Sequence, residues 1–112
     1  MLPGLAMEPR SVLKFLREFA RRELREKKAD QVCVRRVKME STLRRGWLPD
    51  LIVRGVRGIH YLVCVFSGDA LRVYYMGKGG ESLGASEFIG EEKDKVWKDI
   101  SERTKSIFCI PT

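Results

Sequence analysis

Asparagine is missing from all 112 residues, and Gln31 is the only glutamine. Such depletion of thermolabile amides fits a protein of a hyperthermophile, and equally a GC-rich coding bias. Histidine occurs once, at His60, so any acid–base pair or triad has to be assembled around a single imidazole. Cysteine is scarce and odd in number: Cys33, Cys64 and Cys109 lie far apart, without the spacing of zinc ligands. Each stands among β-formers, which predicts buried, reduced thiols. No apolar run approaches the roughly 20 residues of a membrane span, and the opening MLPGLA is too short and uncharged for a signal peptide. A soluble, cytoplasmic protein with no membrane partner is expected. Repeats, low-complexity segments and linkers are also lacking, so the chain reads as one domain. Its 44% apolar content suffices for a core without disulfides or metals.

What the chain does have is positive charge, unevenly placed. The net charge is +7, with a pI near 9.6. Residues 1–58 carry 15 Lys or Arg against 7 Asp or Glu, a net +8, whereas residues 59–112 carry 7 against 8, a net −1. A one-sided positive field attracts polyanions, nucleic acid foremost. The alternative is the solvated, charge-rich surface of a heat-tolerant protein.

Pro9 suits a first helical position, and Val12, Leu13, Leu16, Phe19, Ala20 and Leu24 recur at three-and-four spacing, which predicts a helix over about Pro9–Lys28. Residues 1–8 would be a loosely held leading segment. The other side of this helix carries Lys14, Arg17, Arg21, Arg25 and Lys28 in a stripe, with Arg22 and Lys27 beside it. Glu18–Arg22 and Glu23–Lys27 have the spacing of helix-supporting ion pairs, but the stripe has too few acidic partners to be neutralised.

After Ala29-Asp30, Gln31–Met39 (QVCVRRVKM) reads as a strand, and Arg35, Arg36 and Lys38 on it suggest a sheet edge. The polar loop Glu40–Trp47 places Arg44 and Arg45 near Trp47. That combination suits a phosphate backbone with a base or sugar against the ring, or else Trp47 is a hydrophobic plug. Leu51–Arg54, the turn Gly55–Gly58 and Ile59–Phe66 (IHYLVCVF) read as a hairpin whose second strand is buried on both faces. Ser67-Gly68-Asp69 is a turn and Leu71–Met76 a further strand. In the loop Gly77–Ser82, the glycines and Lys78 either form an anion nest or merely connect. A second helix begins at Ser86 or beyond Gly90, with Ile89, Lys93, Val96, Trp97, Ile100 and Thr104 on one face, and Ser106–Ile110 closes the chain as a strand. The fold class is therefore α/β (α+β): helix, three or four strands, helix, strand, with a mainly antiparallel sheet flanked by helices.

That order, together with Leu48-Pro-Asp-Leu-Ile-Val, the glycines at 55 and 58 and the apolar strand after them, resembles the PD-(D/E)XK nuclease superfamily. The local sequence looks most like archaeal Holliday-junction resolvases. The resemblance covers roughly residues 9–111 and implies two carboxylates holding a divalent cation, with a lysine that activates the attacking water. Asp50 matches the first carboxylate, but the Glu-x-Lys position falls on Cys64-Val-Phe66. Asp69 and Lys78 are the candidates to stand in, and Glu8 or Glu18 to add a helix carboxylate. Asp50 has its own alternative as turn chemistry at a strand entrance. One carboxylate makes a poor magnesium site, so no cofactor is expected, and Mg2+ only if a nuclease survives.

A second resemblance is to the small signal recognition particle proteins of the Alu domain, which are basic, of about this size, and bind RNA through the sheet face. It implies strands at Val32–Lys38, Tyr61–Phe66 and Leu71–Met76 with Arg35, Arg36 and Lys38 toward phosphates. It leaves Pro49–Arg54 as an insertion and the final strand without a role.

His60 reads as a packed or satisfied core residue, and apolar surroundings should raise the Cys64 pKa, which disfavours a nucleophile. The leading expectation is a non-catalytic DNA- or RNA-binding protein, a degenerate nuclease core that contacts phosphates through Lys14, Arg17, Arg21, Arg25, Lys28, Arg35, Arg36, Lys38, Arg44 and Arg45, with Trp47. The alternatives are a protein-interaction subunit or homodimer docking by an edge strand or helix face, a metal-dependent nuclease with a migrated site, and an Alu-like RNA binder.

Overall fold

The periodicity of Val12, Leu16 and Ala20 produces helix α1 over Arg10–Glu26, with these three residues and Glu23 buried. The computed structural model describes residues 8–37 and 58–111. The expectations at Lys38, Arg44, Arg45, Trp47, Asp50, residues 51–54 and residues 1–7 lie outside that range. Glu8, expected in the loose leading segment, reaches Arg36 Nη1 at 3.4 Å.

Strands β1 (Gln31–Val37), β2 (Tyr61–Ser67), β3 (Ala70–Met76) and β4 (Ser82–Ile89) form an antiparallel meander, followed by helix α2 (Glu91–Arg103) and β5 (Thr104–Ile110). The sheet order is β4-β3-β2-β1-β5, so β2 is central, as its apolar run requires. Alternation sends Val32, Val34, Tyr61, Val63, Val65 and Met76 against α1, and Leu62, Cys64, Leu71, Val73, Tyr75 and Phe88 toward Val96 and Ile100 of α2. One helix thus covers each face of the sheet.

Two expectations change. β1 is not an edge: it pairs with β2 on one side and β5 on the other. Its cations are tolerated inside the sheet because Arg35 and Arg36 leave on opposite faces, each toward a polar partner. β2 lies between β1 and β3. Ser82–Ile89 is a strand, where a helix start at Ser86 was possible. Its Gly, Ala and Ser content has low β propensity, but pairing with β3 and burial of Ser86 and Phe88 override that. Gly90, at φ +65°, makes the break before α2.

The cysteines also depart from expectation, because Cys33 and Cys109 form a disulfide between β1 and β5 with Cα atoms 4.0 Å apart, and only Cys64 is a free, buried thiol. Cys33 stands in register with Cys64 on β2 and with Cys109 on β5, so three cysteines cross three adjacent strands. Pairing geometry selects between them. Val37 N–H donates to His60 O at 3.0 Å. Hydrogen-bonded pairs alternate along an antiparallel ladder, so Cys33–Cys64 is one as well. Cys33 therefore meets Cys109 across the non-hydrogen-bonded site, where side chains approach most closely.

The β3–β4 turn is held by Gly80, at φ +87°, where an added Cβ would come within 2.9 Å of Phe15 Cδ1. The Phe15 ring is 43% exposed and free to swing aside, so backbone conformation dominates the cost. Gly80→Ala is expected to destabilise by about 1–2 kcal/mol, lowering the thermal midpoint by roughly 4–8 °C. An unchanged midpoint would remove this role from Gly80.

Candidate nucleic-acid interface

The basic side of α1 becomes a surface because the helix is docked by its other side. Lys14, Arg17, Arg21, Arg25 and Lys28 are all exposed. Among the described residues, Lys14, Arg21, Arg25 and Lys28 have no ion-pair partner. Neither of the expected pairs on α1 forms. Glu23 is buried and accepts a hydrogen bond from Tyr74 Oη, while the Arg22 guanidinium lies 5.5 Å from the Phe19 ring. Glu23 is thus committed to the buried side of the helix, and Glu18 is the carboxylate left among the stripe cations, without an ion pair among the described residues.

Position on the helix fixes where the stripe lies. Arg17 sits over the Phe108 ring at 4.8 Å, so the cationic flank overhangs β5, one edge of the sheet. Phe19, packed edge-on against Tyr74, marks the opposite flank toward β3. Arg10, Leu13, Lys14, Arg17, Glu18 and Arg21 line a shallow depression along the cationic flank. Arg10 was not singled out in the sequence, although it lies one turn before Lys14 and two turns before Arg17, on the same side. Glu18 is the one carboxylate in this depression and contributes no metal cluster.

Arg35 and Arg36 do not join the stripe equally. Arg35 projects to the α2 face, donates to Thr104 Oγ1 at 2.9 Å and to the carbonyls of Ser101 and Thr104, and lies 5.6 Å from the Trp97 ring. It caps the C-terminal end of α2, where orphan carbonyls and the helix dipole favour a cation. Burial lowers its pKa from the usual arginine value. Arg35 is therefore corrected from a phosphate contact to a structural cap. Arg35→Ala is expected to destabilise by about 1–3 kcal/mol through the unsatisfied carbonyls, with polyanion affinity little changed; a large affinity loss without destabilisation would reverse that assignment. Arg36 is on the α1 face, paired with Glu8 near the start of the helix.

The catalytic candidates are separated. Asp69 lies in the β2–β3 turn, 73% exposed and 3.8 Å from Lys93 Nζ, with its carbonyl accepting from Gly90 N–H. Lys78 is in the β3–β4 turn, at the other end of the seven residues of β3, roughly 23 Å of strand away. They cannot act on one phosphate. His60 is exposed just before β2, which corrects its placement in the core. Cys64 is fully buried, and burial pushes its thiol up to about 12. Phe66 packs edge-on against Trp97. Among the described residues, no three His, Cys, Asp or Glu side chains converge to hold a metal ion.

A polar chain of Glu23, Tyr74, Arg72 and Glu87 links α1 to β3 and β4, with Arg72 Nη2 3.4 Å from Glu87 Oε2. Burial first, and then the Glu23 bond, raise the Tyr74 pKa. Only the position of Glu23, on the apolar side of the helix, signals the chain beforehand.

What these elements define is an α+β domain in which one sheet face is covered by a helix whose cationic flank overhangs the edge strand β5. Comparison with protein-family models, with curated proteins and with solved structures returns no match, so the face has to be interpreted from its own chemistry. No described helix is long and apolar enough to cross a membrane.

Proposed function

We propose that the protein binds nucleic acid without catalysis, through the exposed face of α1. The observation that carries this is the row Lys14, Arg21, Arg25 and Lys28, exposed and without ion-pair partners among the described residues, with Arg10 and Arg17 continuing it. A structural helix face of this length ordinarily intersperses both signs of charge, because i,i+4 ion pairs support the helix. Here a single carboxylate, Glu18, stands among the cations of this flank and forms no ion pair among the described residues, while Glu23 is buried and bound to Tyr74. Against a nuclease site on β2 itself stand the burial of Cys64 and the packing of Phe66 against Trp97, at the positions where the resemblance would put Glu-x-Lys.

The test is a fluorescence-anisotropy titration of labelled duplex DNA at 50 and 200 mM salt. About five phosphate contacts should give binding at the lower salt that weakens by roughly two to three orders of magnitude at the higher. No binding at 50 mM salt would overturn the proposal, and Mg2+-dependent cleavage would overturn its non-catalytic part.

A further inference from the structure

We infer that the α1 face takes the backbone of a duplex, independently of sequence, in preference to a single strand. This rests on the polyanion reading above and narrows it to a class of ligand. From Arg10 to Arg25 the cations Arg10, Lys14, Arg17, Arg21 and Arg25 are separated by three or four residues, a comb about 23 Å long with steps of about 4.5–6 Å. Such a comb is rigid, since Val12, Leu16, Ala20 and Glu23 anchor it to the sheet along its whole length. A ligand with phosphates already in a fixed array loses little freedom in binding to it, whereas a flexible single strand has to be ordered.

The aromatic side chains point the same way. Binding of single strands without sequence preference relies on exposed rings on which bases stack. Along this flank the described residues offer none: the Phe108 ring lies beneath Arg17, Phe19 packs against Tyr74, and Trp97 is on the other side of the sheet against Phe66. Phe15, the exposed ring of α1, is on the opposite flank against Gly80.

Sequence readout has little to work with on this face. Bidentate pairing with adenine needs Asn or Gln, and α1 contains neither; its exposed cations alternate with Ser11, Glu18 and Glu26 and are shared between phosphates and any guanine edge they reach.

The experiment compares two unrelated duplexes of about 20 base pairs with an oligothymidine of the same length, using the full chain and anisotropy at about 100 mM salt. Duplex affinity is expected to exceed single-strand affinity by about tenfold or more and to agree within about threefold between the two sequences. Equal or tighter binding of oligothymidine, or a strong preference for one duplex, would overturn the inference while leaving polyanion binding in place. Failure of all three ligands to bind, even at 50 mM salt, would overturn both.

Discussion

Reversing the charge at Lys14, Arg21 and Arg25 together should weaken duplex binding by at least about 100-fold, because at 0.1 M salt each phosphate contact contributes roughly a factor of ten through counterion release. These three are the sharpest choice. They are exposed, lack ion-pair partners among the described residues and are not among the buried residues of α1, so their replacement by glutamate leaves the apolar side of the helix unaltered. Arg17 is left alone because its ring contact with Phe108 also holds β5. The helix should tolerate the change at a cost of a few tenths of a kcal/mol per site. Circular dichroism and the thermal midpoint establish that the fold survives; an affinity within about threefold of the parent would show that nucleic acid does not bind along this flank.

Loss of the Cys33–Cys109 disulfide is the largest stability effect expected. The bridge joins residues 76 apart in sequence, and closing a loop of that length restricts the unfolded chain by about 4–5 kcal/mol in the entropic account, of which about 2–4 kcal/mol is typically realised. β5 depends on it more than an inner strand would, since β1 is its one neighbour in the sheet. Cys109→Ser, or reduction of the parent, should lower the thermal midpoint by about 8–16 °C. Thiol titration supplies an independent check: the unfolded, unreduced chain should show one reactive thiol, that of Cys64, and the reduced chain all three. Three thiols without reduction would contradict the bridge.

Much of the fold was legible in the sequence because hydrophobic periodicity records it. The face of α1 follows from Val12, Leu16 and Ala20, and the central place of β2 from its unbroken apolar run. What periodicity does not record is how strands pair. The position of β1 inside the sheet, the two occupied edges of β2 and the choice of Cys109 over Cys64 as partner of Cys33 all depend on register. β4 was hidden for a related reason: Gly84, Ala85 and Ser86 are weak β-formers made into a strand by β3.

The cationic stripe was legible in the same way as the core, since one helical period gives both. Charge alone could not tell a solvent-facing arginine from a capping one, so Arg35 looked no different from Arg21 until β1 carried it to the end of α2. Glu23 misled in the opposite sense: its spacing to Lys27 suggests a surface pair, whereas its place on the apolar side commits it to Tyr74. Asp69 and Lys78 show the limit of sequence proximity, because a single strand between two turns carries their side chains to opposite ends of the sheet.

The most direct test of the account is the salt slope of duplex affinity, measured for the parent and for the variant reversed at Lys14, Arg21 and Arg25. A plot of log affinity against log salt should fall with a slope of about −4 to −5 for the parent, and the variant should lose about three units of that slope, one for each phosphate contact removed. Equal slopes for the two proteins would contradict it, since any nucleic acid would then be held somewhere other than α1.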